Sequence, residues 1–182
     1  LPQIIDFPVV RDKVFTDTPF NLNATTSSGL PVQYSLVSGP GTIAGNMYTI
    51  TGTGTATIRA SQLGDHVYDT AAPVIRTFTV NKGDQIISFP VIADQTPGSV
   101  VLNAVSSSGL PITYNVVSGP ATVSGNVLFL TGVGSVTLRA AQEGNNNYKA
   151  APPADQTFCV RAASLNTISG PQFICPHQTA TY

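Results

Sequence analysis

The sequence predicts an all-β chain organised as two tandem β-sandwich domains of about seven strands each. Three observations carry that prediction. A series of short motifs recurs at an offset of about 80 residues. Turn-forming residues punctuate the chain every ~8–12 residues, with alternating apolar residues between them. No window of ten or more residues carries a capped helical periodicity.

The repeat fixes the organisation. Ser27-Ser28-Gly29-Leu30-Pro31 returns as Ser107-Ser108-Gly109-Leu110-Pro111, and Ser38-Gly39-Pro40 as Ser118-Gly119-Pro120. Gly45-Asn46 returns as Gly125-Asn126, Arg59-Ala60 with Gln62 as Arg139-Ala140 with Gln142, and Tyr68 as Tyr148. Phe78 and Val80 return as Phe158 and Val160. From Ala24 to Val80 about half of the aligned positions are identical. The openings, Gln3-Ile4-Ile5-Asp6-Phe7-Pro8 and Gln85-Ile86-Ile87-Ser88-Phe89-Pro90, lie two residues further apart, so the second copy carries a small deletion before its second strand. Solenoid repeats run about 20–50 residues, so a unit of this length must close its own core. The expected domains are 1–82 and 83–162, joined at Lys82-Gly83-Asp84. Residues 163–182 break the repeat and are expected to be the truncated start of a third module.

Strand by strand, apolar residues alternate as one buried face requires. Ile5 and Phe7 begin the series, and Phe20, Leu22 and Ala24 follow. After the Gly-Leu-Pro turn come Val32, Tyr34 and Leu36, then a short strand at Thr42-Ile43. Gly45-Asn46 turns the chain into Tyr48 and Ile50. Ala56, Ile58 and Ala60 form the next strand, and Phe78 with Val80 the last. The second copy keeps the apolar character, with Val136, Leu138 and Ala140 in the sixth strand. Seven short strands in about 80 residues are the pattern of an Ig-like sandwich. The chain has no Trp, so the Cys-Trp-Cys core of antibody domains is absent and packing falls to aliphatics, Tyr and Phe.

Composition excludes several classes. Apolar residues make up 42% of the 182 and charged residues only 9%. The first figure supports a real core and the second leaves a weakly charged surface. With a net charge of −1 and no Lys/Arg run, no basic stripe exists to neutralise nucleic acid phosphates or anionic lipid. No apolar run approaches the ~20 residues that span a bilayer. The chain opens Leu1-Pro2-Gln3 without an initiator Met or a signal peptide, and is expected to be an excised piece whose targeting signal lies elsewhere.

The combined motifs resemble bacterial Ig-like repeats, which occur in arrays in large secreted and cell-surface proteins of the Bacteroidetes. The resemblance covers about residues 1–161. Ile168-Ser169-Gly170-Pro171-Gln172-Phe173-Ile174-Cys175 through Tyr182 resembles the opening of a PKD-like module found in the same proteins. The resemblance implies an exported adhesin of the gliding-motility or type IX secretion type, in which such repeats serve as stalks. In PKD-like modules the counterpart of Cys175 bonds to a partner further downstream. A bridge between Cys159 and Cys175 is the alternative, and both stay open.

Each candidate site has a structural reading beside it. Thr51-Gly52-Thr53-Gly54-Thr55 contains G-x-G but is followed by a strand, whereas a phosphate loop opens a helix. Thr49, Thr51, Thr53, Thr55 and Thr57 would make a flat row on one strand. The second copy breaks it with Phe129 and Val133, and two glycines argue for a bend. Asp65, Asp69 and Asp84 suggest an interdomain calcium site, yet Asn145 and Lys149 replace the first two. Tyr68 and Tyr148 read as packing residues with backbone-bonded hydroxyls rather than sugar platforms. Arg59 and Arg139 are expected on a polar strand face as solvated or cross-strand charges. Cys159 alternates with Phe158 and Val160 and is expected to face outward. His66 and His177 have no ligand-like spacing, and two cysteines are too few for the usual four-ligand zinc site.

No catalytic residues, cofactor-binding residues or metal ligands are assigned, and no cofactor is expected. The expected function is a non-catalytic spacer or stalk of a cell-surface adhesin, extracellular, monomeric and in contact mainly with neighbouring modules of its own chain. Two alternatives stand beside it: a module that binds surface glycans or another surface protein, and an accessory region of a secreted polysaccharide-degrading enzyme.

Overall fold

The computed structural model describes residues 1–163 and, within them, strands and turns with no helix. Backbone contacts divide the chain into two units. The first is Leu1–Gly83 together with Asn145–Lys149, a loop that the sequence repeat assigns to the second copy. The second is Asp84–Gly144 and the chain from Ala150 onward.

In the first unit β1 (Ile5–Asp6) pairs with β4 (Thr25–Thr26). One sheet has the order β2-β9-β8-β5, from Lys13–Val14, Val74–Asn81, Gly54–Ser61 and Gln33–Ser38. The other has the order β3-β7-β6, from Phe20–Asn21, Met47–Ile50 and Gly41–Ala44. The core lies between them: Ala56, Ile58, Phe78 and Val80 from one sheet meet Tyr48 from the other, joined by Phe7 and Leu22. The second unit repeats the plan. β10 (Ile87–Ser88) pairs with β12 (Val105–Ser106). β13 (Thr113–Ser118), β16 (Gly134–Ala141) and β17 (Ala154–Val160) form one sheet, and β11 (Gly98–Val101), β15 (Val127–Leu130) and β14 (Ala121–Ser124) the other. Both units are Ig-like sandwiches.

The sequence motifs sit where backbone geometry demands them. Gly45-Asn46 closes a two-residue hairpin in which Ala44 faces Met47. Gly45 has φ +61°, the left-handed start that matches strand twist. In each copy a bulge precedes the Ser-Gly-Pro corner, at Val37 and Val117. That register shift exposes both valines by about half and turns the chain from one sheet into the other. At the corner Gly39 and Gly119 have φ +105° and +101°. A Cβ at either would lie 2.3 Å from the carbonyl oxygen of Thr55 or Ser135, so only glycine fits.

The number of strands differs from the expected seven per copy: nine segments form in the first and eight in the second. The additions are two-residue pairings, too short to show alternation. One is β2, which runs parallel to β9 with Lys13 opposite Val80. Its counterpart in the second copy is a single parallel bridge between Gln95 and Val160. Cys159 also departs from expectation. It is buried and disulfide-bonded, although the core takes Phe158 and Val160 and not Cys159, so the alternation holds and only the exposure differs. Cys175, His177 and the PKD-like segment lie outside the described residues.

Candidate functional site

The most organised polar chemistry in each unit is a buried amide pair, and both copies have it. Gln3 Nε2 donates to Gln62 Oε1 and to the Asp69 carbonyl, each at 2.6 Å. Ser28 donates to Gln3 Oε1 at 2.5 Å, and the Gly64 amide donates to Gln62 Oε1. In the second copy Gln85 Nε2 donates to Gln142 Oε1 at 2.6 Å, Ser108 donates to Gln85 Oε1, and the Gly144 amide donates to Gln142. All four glutamines are buried, which is costly unless each polar atom finds a partner. Among the described residues no buried side-chain nitrogen or oxygen lacks one. The network ties the opening segment of each unit to the loop after β8 or β16. Sequence reading met these residues as repeat landmarks and missed their pairing, since the partners stand 59 and 57 positions apart. The available signal was a glutamine conserved between copies inside an apolar alternation.

The hydroxyl-bonded tyrosines are not the expected pair. Tyr34 Oη accepts the Ala24 amide at 2.7 Å and donates to the Leu22 carbonyl at 3.0 Å. Tyr114 Oη accepts the Ala104 amide at 2.8 Å. Burial raises both phenols, with the backbone bond opposing it. Tyr68 and Tyr148 are half-buried and show no hydroxyl hydrogen bond among the described residues. Within the first unit Tyr148 meets Phe15 edge-on, centroids 5.4 Å apart.

The threonine row does not exist as one surface. Thr49 lies on β7, Thr51 and Thr53 lie in the turn, and Thr55 with Thr57 lie on β8 in the other sheet. Thr57 pairs across strands with Thr77 at 3.5 Å and Thr137 with Thr157 at 3.0 Å, a sheet-stabilising arrangement.

Two of the charged candidates, Asp65 and Arg139, are engaged in local structure. Asp65 Oδ1 accepts the Val67 and Tyr68 amides, each at 2.8 Å, and the Tyr68 bond leads in holding its carboxyl below the usual range. Asn145 Oδ1 accepts the matching amides of Asn147 and Tyr148 at 2.8 and 2.9 Å. The turn thus needs an acceptor oxygen and not a charge. Arg139 makes a bidentate fork with Asp155, both bonds 2.8 Å. The hydrogen bond from Arg139 lowers the Asp155 carboxyl. Arg59 stands opposite Ile75 instead. Asp12 and Asp94, not singled out in the sequence, each accept an amide of the last strand: Thr79 at 2.7 Å and Cys159 at 3.0 Å. Asp94 also pairs with Arg161. The Cys159 bond is the main cause of its lowered carboxyl.

Two shallow depressions mark the first unit. One of about 340 Å³ is lined by Leu22, Asn23, Ala24, Thr25, Val32 and Tyr34 among others. The other, of about 250 Å³, runs beside Phe7, Arg11, Lys13 and Phe20. Neither gathers an acid, a base and a nucleophile as catalysis requires. Among the described residues no three His, Cys, Asp or Glu side chains converge as metal ligands, and no helix is long and apolar enough to cross a membrane.

No protein-family model matches the chain, and no curated protein sequence matches it. Several solved structures are similar at a distance. Drosophila N-cadherin EC1-4 is 15% identical with a TM-score of 0.33, covering 87% of this chain and 50% of that one. The chain thus spans half the length of that fragment. Human mucin-like protocadherin EC1-2 is 14% identical with a TM-score of 0.35, covering 88% and 98%. The insect immune protein hemolin is 14% identical with a TM-score of 0.43, covering 86% and 46%. Likenesses this remote carry nothing about function.

Proposed function

We propose that this chain is a non-catalytic spacer, two stalk repeats of a bacterial cell-surface adhesin. The observation that carries the reading is where the two copies agree and where they differ. They agree in the buried glutamine network, the Tyr34/Tyr114 bonds, the Asp12/Asp94 bonds and the corner glycines, all of which hold a sandwich together. They differ where a ligand would look: Arg139–Asp155 against Arg59–Ile75, Asp65 against Asn145, Thr49 against Phe129. Selection for a scaffold retains the first set and lets the second drift.

An extracellular setting is supported by the sequence resemblance and by the disulfide at Cys159, since such bonds persist in oxidising compartments. Gliding-motility and type IX secretion arrays are the specific context that the resemblance suggests. The partners are then the neighbouring modules of the same chain, and the fragment is a monomer. The test is binding of the whole chain to a glycan array. Background signal throughout is the expected result. Clear saturable binding to one glycan class would replace the spacer with a recognition module.

A further inference from the structure

Among the core positions that differ in size between the copies, four lie together and change in opposite directions. Phe20 on β3, Gly41 on β6, Tyr48 on β7 and Ala56 on β8 are replaced by Val100 on β11, Ala121 on β14, Leu128 on β15 and Val136 on β16. Strand register confirms the equivalence: Phe20 faces Tyr48 as Val100 faces Leu128, and Gly41 faces Ile50 as Ala121 faces Leu130. The two aromatic positions shrink in the second copy while the two small ones grow.

Each set is matched within its own unit. The rings of Phe20, Tyr48 and Phe78 stack with centroids 5.3–5.8 Å apart. The Tyr48 phenol fills the place of a side chain at 41, where a Cβ would lie 2.0 Å from its oxygen. In the second unit Leu128 and Val136 are fully buried without any such ring stack at that level. Each set is also spread over four strands drawn from both sheets. Exchange of any one of these four strands between copies therefore separates members of the set. The hairpin of β6 and β7 would carry Gly41 and Tyr48 together, and would set the Tyr48 ring against Val136 in place of Ala56 and against Val100 in place of Phe20. The reciprocal hairpin would bring Ala121 and Leu128 beside Phe20 and Phe78 and lose the ring contacts that Tyr48 makes with both. Both errors are destabilising in close-packed interiors.

Little else opposes exchange. The glutamine pair and the registers of the long strands recur in both copies, and one chain holds both at high effective concentration. Strand exchange and misassembly are characteristic failures of such tandem repeats. We infer that the opposed core sizes keep the two copies from exchanging strands, so that each closes on itself.

The test uses the whole oxidised chain and two quadruple variants. In one, Phe20→Val, Gly41→Ala, Tyr48→Leu and Ala56→Val give the first copy the second copy's set. In the other, Val100→Phe, Ala121→Gly, Leu128→Tyr and Val136→Ala do the reverse. The chain with Ile58→Val alone serves as a control that is weakened but keeps the size opposition. After dilution from urea, a second unfolding jump measures the fraction of molecules that unfold at a non-native rate. That fraction is expected to rise severalfold in the variants and to stay at the starting value in the control. An unchanged fraction in whichever variant folds, or an equal rise in the control, would overturn the inference. Failure of both variants to fold would also overturn it, because the sets would not then be interchangeable alternatives.

Discussion

Gly41→Ala isolates the coupling between a missing side chain and a buried ring. The added Cβ would sit 2.0 Å from Tyr48 Oη and 2.1 Å from Cζ. Tyr48 cannot swing away, since it is fully buried between Phe20 and Phe78 at 5.4 and 5.3 Å. Displacing the ring costs about 1–3 kcal/mol as overpacking. Weakening the hydroxyl bond to the Pro40 carbonyl, 3.2 Å long, adds about 1 kcal/mol. Reduced chain entropy on losing a glycine returns about 0.4–1 kcal/mol. The net expectation is a loss of about 1–3.5 kcal/mol, or roughly 4–28 °C in the melting temperature of a domain this small. In a Tyr48→Leu background the same change should be close to neutral, because the second copy carries Ala121 beside Leu128. Urea unfolding of the four chains of this double-mutant cycle gives the coupling directly. Equal costs of Gly41→Ala in both backgrounds, within about 0.5 kcal/mol, would refute the packing argument.

Other consequences follow from the same contacts. Gly119→Ala meets the Ser135 carbonyl at 2.3 Å as well as an unfavourable φ. It should cost more than Gly29→Ala, which has φ +78° but nothing within 4 Å; thermal melting of the two variants ranks them. Gln62→Leu takes from Gly64 and Gln3 an acceptor inside the core and should lower stability by about 1–3 kcal/mol, read as the urea midpoint at constant slope. Asp94 has a folded carboxyl held below its unfolded value, first by the Cys159 amide and then by Arg161. Its contribution is therefore complete above the unfolded pKa, about 3.9, and is lost as pH falls through the lower folded value. Urea midpoints measured from neutral to strongly acidic pH should fall less steeply with acid in Asp94→Asn than in the unaltered chain.

The legible part of this fold was its backbone punctuation. Gly45-Asn46, Ser38-Gly39-Pro40 and Gly29-Leu30-Pro31 announced turns because each needs a φ or a missing Cβ that few residues supply. Alternation then located every strand long enough to alternate. β2 escaped because two residues have no period, and its parallel pairing depends on β9, more than sixty positions away. Tyrosine was misassigned for a related reason. Tyr68 looked special in its loop, while Tyr34 looked like one more member of an alternating strand. Which hydroxyl finds a backbone partner is settled by what Leu22 and Ala24 offer ten or twelve residues earlier, and periodicity does not encode that.

Duplication separates cause from coincidence in a way that one copy cannot. A carboxylate at 65 invites a metal, but asparagine at 145 holds the same turn with the same two amide bonds. The geometry therefore requires an oxygen, and the charge is incidental. The bidentate Arg139–Asp155 fork likewise has no counterpart at Arg59 and Ile75, yet both copies form the same strand pair in the same register. That fork is a local addition to a sheet that stands without it. The glutamine pair passes the opposite test, recurring with its serine and its glycine amide around two cores of different side-chain size. The physical requirement it meets is to close the opening strand against the loop after β8 or β16, and an apolar pair there would leave the Gly64 and Gly144 amides without their acceptors.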